Sequence, residues 1–266
     1  MRKRLAIPYH LFVAPLTYGL VHDASLFELI YAISAANAMK LRNGEVDGAL
    51  LTPIDYAREN SDYLILPRVA VSSKDESNAI ALFFRSGLSS ISTVAVDIGV
   101  TSEIVLTRII LAEKYDINPQ FIPMMPDLRA MLTKADAALL VGNAIFNLKD
   151  EAHRLDLVDE WTDLTELPYI HGFWGYRPNA LNLDDRRSLL SAREQGIQNL
   201  DSITRNITHP GISGEYLHQF SYEFNEEAVN SISEFFRYSF YYGIIADIPE
   251  IRFDTSENES HSLSPN

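Results

Sequence analysis

Cysteine is absent from the 266 residues, which excludes disulfides, thiolate nucleophiles and cysteine-ligated metal sites. The seven histidines are scattered and form no HExxH-like pair, so we expect no metal site. No stretch approaches the roughly 18 uncharged apolar residues that a membrane-spanning helix needs. These absences predict a globular chain with neither a metal site nor a membrane span.

Positive charge is also scarce. The chain has 22 Lys and Arg against 36 Asp and Glu, giving a formal net charge of −14. This excess of negative charge repels phosphate backbones and anionic lipid surfaces, so we expect neither nucleic acid nor a membrane as a partner. A small anionic ligand remains compatible with it, because a pocket can present backbone N–H groups at a helix N-terminus.

The first residues imitate the start of a signal peptide. The sequence MRKR at residues 1–4 is basic, but Pro8, Tyr9 and His10 interrupt the apolar run that should follow it. No A-x-A cleavage site is present. We therefore expect a cytoplasmic protein.

The apolar pattern of the first part predicts a strand, a helix and a second strand. Residues 5–7 are apolar, residues 35–43 are helix-like and end at Gly44, and residues 47–51 form a buried run that Pro53 breaks. This order implies a parallel sheet with right-handed crossovers.

Residues 79–84 are another apolar strand of this first part, and after the polar turn at Ser89-Ser90 the same pattern begins again. Its elements are strands at 93–96, 120–122 and 137–141, and helices at 101–115 and 127–133. An aromatic-rich strand at 168–174 then returns to the first set, and a long helix runs from Asn225 to residue 242 and ends at Gly243. The sequence therefore predicts an α/β protein with two βαβ sets.

Several short motifs occur together in an informative order. They are APLTYGL at 14–20, GEVD at 44–47 followed by LTP at 51–53, residues 115–119, DAALLVG at 136–142 and residues 157–174. Together they resemble the chorismate dehydratase family of the futalosine route to menaquinone. The resemblance covers roughly residues 5–177 well and the helical C-terminal part loosely.

This resemblance implies a two-lobed fold of the periplasmic-binding-protein type II class, with a mainly parallel sheet in each lobe and a ligand cleft between them. We assign residues 1–88 and 177–253 to lobe 1, residues 89–176 to lobe 2, and residues 254–266 to a mobile tail. The implied reaction is the elimination of water from chorismate to give 3-[(1-carboxyvinyl)oxy]benzoate, without metal or organic cofactor. The expected ligand is a small anionic aromatic or cyclohexadiene carboxylate.

The chain departs from the family's motifs at positions that should face the cleft. The family's Leu-Asn reads Leu11-Phe12, so the amide most closely tied to catalysis is absent, and the family's serine on the strand at 79–84 aligns with Ala79. The chain also differs from the family's motifs at three further places, VTSE at 100–103, Gly142-Asn143 and His171. The changes cluster in the cleft, which indicates altered ligand chemistry.

Two histidines are candidate replacements for the lost catalytic group. His10 lies beside the changed position, and His171 lies on the aromatic strand. Each could act as an acid or base near neutral pH. The alternative is that each is a packed, hydrogen-bonded core histidine.

Thr101 and Ser102 are candidate donors to a ligand carboxylate, because they begin a helix whose first N–H groups are unpaired. The alternative is an ordinary helix cap. Glu103, in the first turn of that helix, would repel an anionic ligand there.

Four other residues are candidates for substrate binding. Asn143 follows a buried strand, at the edge where open α/β sheets bind ligands, and Thr52 and Asn78 also lie at strand ends. Phe12 could stack on a planar ring. The alternatives are turn residues for the first three and a core aromatic for Phe12.

Two functions therefore stay open ahead of a third, the periplasmic solute receptor of a transporter, which would need export. The first is a chorismate-dehydratase-like lyase of menaquinone biosynthesis. The second is a non-catalytic binding protein for a small carboxylate, which keeps the fold without the lyase residues. The oligomeric state is not indicated by the sequence.

Overall fold

The computed structural model describes residues 2–58, 63–146, 148, 153–206, 212 and 214–255. The strands are β1 (Lys3–Ile7), β2 (Phe27–Tyr31), β3 (Gly48–Leu51), β4 (Leu64–Ser73), β5 (Ile80–Phe84), β6 (Thr93–Asp97), β7 (Gln120–Met124), β8 (Ala137–Val141), β9 (His153–Asp156), β10 (Tyr169–Tyr176) and β11 (Phe220–Ser221). The helices are α1 (Ala14–His22), α2 (Ser34–Arg42), α3 (Pro53–Arg58), α4 (Ser102–Tyr115), α5 (Leu128–Lys134), α6 (Leu157–Thr165), α7 (Leu183–Gln198), α8 (Leu200–Arg205) and α9 (Glu226–Tyr241).

The strands form two sheets. The first has the order β11-β4-β10-β3-β1-β2, and the second has the order β7-β6-β8-β5-β9. In the first sheet β1 pairs in parallel with β2 and β3, whereas β10 runs antiparallel to both of its neighbours. The second sheet combines parallel pairs at β6 with antiparallel pairs at β5.

The α/β fold with two lobes is confirmed, but the sheets are mixed, whereas the sequence predicts mainly parallel ones. β5 lies in the second sheet and β10 in the first, so the chain changes sheets before each predicted boundary, at residues 88 and 176. The predicted return of the strand at 168–174 to the first set is confirmed. β5 and β10 both pair antiparallel with their neighbours, a relation that the βαβ pattern does not reveal.

Apolar burial explains why the elements fall where the sequence places them. β3 and β8 are buried along their whole length, as strands covered on both faces must be. Asp127 caps α5 by accepting from the Ala130 N–H, and Asn225 caps α9 by accepting from the Ala228 N–H. The predicted starts of these two helices are confirmed.

One continuous apolar cluster contains side chains of both sheets, including Leu5 and Leu51 of the first and Val94 and Leu139 of the second. The lobes therefore pack directly on each other. A smaller cluster around Phe83 lies on the other face of the second sheet.

The end of the described chain is held by lobe 1. The Asp254 carboxylate lies 2.5 Å from the Arg186 guanidinium and accepts a hydrogen bond of 2.9 Å from the Tyr176 hydroxyl. The predicted mobile tail therefore cannot begin at residue 254. Its remainder, beyond residue 255, lies outside the described residues.

Candidate functional site between the lobes

One candidate ligand site is a cavity of about 500 Å³ beside the loop that follows β1. Its wall is mainly apolar and aromatic, with Ile7, Val13, Phe146 and Ile203 among the lining residues. The volume is in the usual range for small-molecule sites. A second cavity of about 170 Å³ also borders this loop.

Both cavities are lined by Pro8, Tyr9 and His10 of lobe 1 and by Asn143 of lobe 2. His10 and Asn143 were predicted from the sequence, and the structure brings them together at the junction of the lobes. A ligand in either cavity would lie next to both residues.

His10 is a partly buried side chain that faces these cavities. Burial lowers the pKa of His10 to about 4, so the imidazole is neutral at pH 7 and one ring nitrogen is free to accept a proton. Its ring stacks on Phe12 with 5.0 Å between ring centroids. The ring therefore stays unprotonated at neutral pH, and the lowered pKa also makes it a weaker base than an ordinary histidine.

Asn143 connects the two lobes through both ends of its side-chain amide. Its Oδ1 accepts a hydrogen bond of 2.9 Å from the Leu11 N–H, and its Nδ2 donates one of 2.9 Å to the Tyr9 carbonyl. The amide therefore binds the main chain of the first lobe on either side of His10.

Phe12 lies behind His10 in the core. It is 2 % exposed and is enclosed by His171 at 4.8 Å and Phe220 at 5.4 Å, measured between ring centroids. Neither described cavity includes Phe12 in its lining. The predicted contact between Phe12 and a ligand ring thus gives way to the alternative, a core aromatic.

His171 is also a core residue. It is 4 % exposed, and its Nε2 lies 2.7 Å from the Ser73 hydroxyl. Burial, with a smaller contribution from nearby His10, lowers the pKa of His171 to about 3. Of the two predicted bases, only His10 reaches a described cavity.

Thr52, Thr101 and Ser102 meet at a second contact between the lobes. The Asp55 carboxylate accepts hydrogen bonds from the Thr52 hydroxyl at 2.8 Å and from the Thr101 hydroxyl at 2.9 Å. The Ser102 hydroxyl accepts one of 2.9 Å from the Ile54 N–H. The three predicted residues do come together, and these hydroxyls bind protein groups. Their contact with a ligand stays a prediction.

The N-terminus of α4 already carries a carboxylate of the chain itself. Glu103 is 2 % exposed, and its Oε2 accepts from the Thr101 N–H at 3.1 Å. Burial raises the pKa of Glu103 to about 7, and the nearby Asp55 and Asp97 also raise it. Backbone hydrogen bonds from the N–H groups of Glu103 and Thr101 oppose this shift. Thr101 precedes α4 without a side-chain capping bond, so the predicted hydroxyl cap is wrong. Glu103 performs that role instead.

Asn78 lies in the turn between β4 and β5, away from both cavities as described. Its φ of 54° is in the left-handed region that asparagine tolerates, and its N–H donates to the Asp156 carboxylate at 2.7 Å. Ala79 beside it is fully buried. The contact of Asn78 with substrate stays a prediction, and the geometry of Asn78 is that of a turn residue.

Sequence reasoning missed Asp55, Tyr31 and Asn206. Asp55 is 6 % exposed and lies three residues after Thr52, a spacing typical of helix starts that could have indicated the contact. Tyr31 and Asn206 line the larger cavity from β2 and from the end of α8. No sequence pattern marks either of them.

No group of three or more His, Asp or Glu side chains among the described residues could hold a metal ion. Within the same part of the chain, no helix is long and apolar enough to span a membrane.

Two mixed sheets in separate lobes, with a ligand-sized cavity where the lobes meet, define the two-lobed binding-protein class of α/β proteins. Solved structures share this fold. A protein from Archaeoglobus fulgidus is similar with a TM-score of 0.74 and 19% sequence identity, over 92% of this chain and 98% of that one. The periplasmic aliphatic sulphonate binding protein from Escherichia coli is similar with a TM-score of 0.61 and 13% identity, over 94% and 95%.

The sequence comparisons identify the family. A family model described as menaquinone biosynthesis matches residues 4–241, so the chain belongs to the menaquinone biosynthesis family. A chorismate dehydratase from Thermus thermophilus is 24% identical over 250 residues, which cover 84% of this chain and 89% of that protein. The predicted family is confirmed.

Proposed function

We propose that the chain eliminates water from chorismate in the cavity beside His10, giving 3-[(1-carboxyvinyl)oxy]benzoate. The observation that carries this proposal is the neutral imidazole of His10 on the wall of a cavity between the lobes. The similarity to the Thermus thermophilus chorismate dehydratase supports the choice of substrate.

The described lining of the cavity contains no Lys or Arg. The carboxylates of the substrate must then be bound by neutral donors. Tyr18, Tyr31 and Asn206 line the cavity and carry hydroxyl and amide groups of this kind. The apolar wall would contact the ring of the substrate.

The reaction needs one proton transfer and the loss of one hydroxyl group. Neutral His10 would take the proton from the ring carbon that carries the enolpyruvyl ether. The C–O bond to the neighbouring hydroxyl breaks, and the imidazolium returns its proton to the leaving hydroxide to form water. Formation of an aromatic ring drives the step, so the protein mainly has to orient the substrate and move a proton.

The direct test is incubation of the protein with chorismate, followed by chromatography for the aromatic enolpyruvyl ether. We expect product with the parent protein and at least a hundredfold lower kcat with His10→Gln, in line with the usual contribution of a general base. His22→Gln is a matched control, because His22 lines the same cavity and its ring nitrogen contacts the Tyr18 carbonyl at 2.7 Å. Loss of activity in both variants alike would remove the special role of His10.

A second candidate function is a non-catalytic binding protein for a small cyclic carboxylate. Phe12 favours it, because its ring fills the position where the family's motif carries an amide and is enclosed by His171 and Phe220. Calorimetry with chorismate and benzoate-type acids separates the two functions. Binding without product supports the second, and product at enzymatic rates rejects it.

A further inference from the structure

His10 lies on lobe 1, but the groups that enclose its main chain belong to lobe 2. The Asn143 amide accepts from the Leu11 N–H and donates to the Tyr9 carbonyl, both at 2.9 Å. These two bonds fix the peptide groups immediately before and after His10. The main-chain position of His10 is therefore set from across the lobe junction.

Gly142, also in lobe 2, restricts the imidazole ring of His10 by packing against it. Its φ of +57° is in the left-handed region, and a Cβ built on it would overlap Nδ1 of His10. The Nδ1 edge of the imidazole thus packs against the bare α-carbon of Gly142. The Gly142 N–H donates to the Ala79 carbonyl at 2.8 Å, so this support is anchored in the second sheet.

The other face of His10 stacks on Phe12, which is enclosed in the core of lobe 1. No hydrogen bond to either ring nitrogen of His10 is present in the part of the chain that the structure describes. The orientation of the ring therefore depends on packing between Phe12 and Gly142 and on the two bonds of Asn143. Opening the lobes would remove all of these supports except Phe12.

We propose that Asn143 is a positioning residue, which orients His10 and makes that orientation depend on closure of the lobes. The proposal rests on the proposed function for the role of His10 as a base, but the position of the ring can be measured without activity. It gives Asn143 a role different from direct contact with substrate.

The experiment follows His10 by NMR in protein labelled with ¹³C at histidine, with the His10 signal assigned by its loss in His10→Gln. In the parent protein we expect a pKa of about 4 for His10. In Asn143→Ala we expect this pKa to move towards 6.5, the ordinary value for histidine, because the opened junction admits water. His171, behind Phe12, should move little.

The titratable groups that line the cavities with His10 also bear on this measurement. They are Tyr9, Tyr18, His22, Tyr31 and Asp97. All of them remain in the variant, so a change in the titration of His10 reports the lost contact. Asn225→Ala is the matched control, because it removes an asparagine whose side chain accepts within lobe 1, from the Ala228 N–H.

A second variant guards against a failure of Asn143→Ala to fold. Gly142→Ala keeps both bonds of Asn143 but inserts a methyl group where the ring lies, so it should displace the His10 signal. The proposal is overturned if the parent His10 already titrates near 6.5, or if neither variant changes its titration while the lobe-1 control behaves like the parent.

Activity then separates this proposal from the proposed function. If the parent makes the aromatic product, Asn143→Ala should lower kcat at least tenfold with a smaller change in KM and should shift the pH profile. If the parent makes no product but the His10 titration moves as expected, the positioning role stands and the lyase function fails. An Asn143→Ala variant that raises only KM and leaves the His10 titration unchanged contradicts the proposal.

Discussion

Thr101 of lobe 2 donates its hydroxyl to the carboxylate of Asp55 in lobe 1 at 2.9 Å, and the same carboxylate accepts from Thr52 at 2.8 Å. A single buried acid thus receives a hydroxyl from each lobe. Asn143 forms further polar contacts across the junction, and the Ser102 hydroxyl accepts another from the Ile54 N–H. These hydrogen bonds add to the apolar packing between the lobes.

Replacing Thr101 by valine keeps the shape of the side chain and removes its hydroxyl. We expect the free energy of unfolding to fall by about 1.5–3 kcal/mol, the range for a hydrogen bond to a charged group, and the radius of gyration to rise as the lobes separate. Urea unfolding and small-angle X-ray scattering measure these effects.

Thr133→Val is the control for that variant, because Thr133 is exposed and its hydroxyl donates to the Ala130 carbonyl of its own helix. It should change stability by less than about 0.5 kcal/mol. Equal effects of the two substitutions would show that the contact with Asp55 does not hold the lobes together.

Glu103→Gln should stabilise the protein at high pH. The pKa of Glu103 is raised from 4.5 to about 7 in the folded protein, so the folded state holds its proton more tightly than the unfolded state does. Stability is then lost as the pH rises from 4.5 through 7. Glutamine removes this loss, worth on the order of 3 kcal/mol at pH 8, while keeping an acceptor for the Thr101 N–H.

Melting curves of the parent and of Glu103→Gln at pH 5 and pH 8 test this. The variant should gain several degrees at pH 8 and little at pH 5. A gain of equal size at both values would mean that charge on Glu103 is not the cause.

Phe12→Asn, which introduces the residue of the family's motif, should destabilise the protein and not restore an amide to the cavity. It removes a ring packed against His10, His171 and Phe220 and places a polar group in the core. We expect a loss of about 3–5 kcal/mol in a denaturant titration. Phe12→Leu, as the apolar control, should lose clearly less. Near-parental stability of Phe12→Asn would mean that the ring is not a core group.

Chorismate or a benzoate-type acid should raise the melting temperature. A ligand present at one hundred times its Kd stabilises by about 2.7 kcal/mol, equivalent to roughly 5–10 °C for a chain of this size. Asn206→Ala, which removes an amide from the cavity lining, should reduce the shift. A panel of such acids at millimolar concentration that produces no shift would contradict both proposed functions.

Much of the fold could be predicted because its strands are defined by local composition. β8 at Ala137–Val141 was predicted with its observed bounds, and α9 was predicted to within one residue at each end. β4, at Leu64–Ser73, was missed, although it pairs with β10 along most of its length. Pro67 and Arg68 interrupt its apolar run, so only its partners in the sheet identify it as a strand.

The site was only partly predictable, for a physical reason. The sequence singled out His10, because it lies beside the changed family position, and Asn143, because it follows a buried strand. It could not show that both ends of the Asn143 amide bind the main chain of the other lobe, because that depends on how the lobes meet. Likewise, Phe12 is a core residue because His171 of β10 and Phe220 of β11 enclose its ring, and the sequence does not show that these strands lie beside it.

The sheet order also determines which part of the chain can be complete first during synthesis. The second sheet uses only strands from β5 to β9, a continuous stretch that leaves the ribosome before β10 does. The first sheet is incomplete without β10, which lies between β3 and β4. The ion pair between Arg186 and Asp254 forms only after the end of the chain has been synthesised. Lobe 2 should therefore acquire protease resistance on stalled nascent chains while lobe 1 remains cleavable.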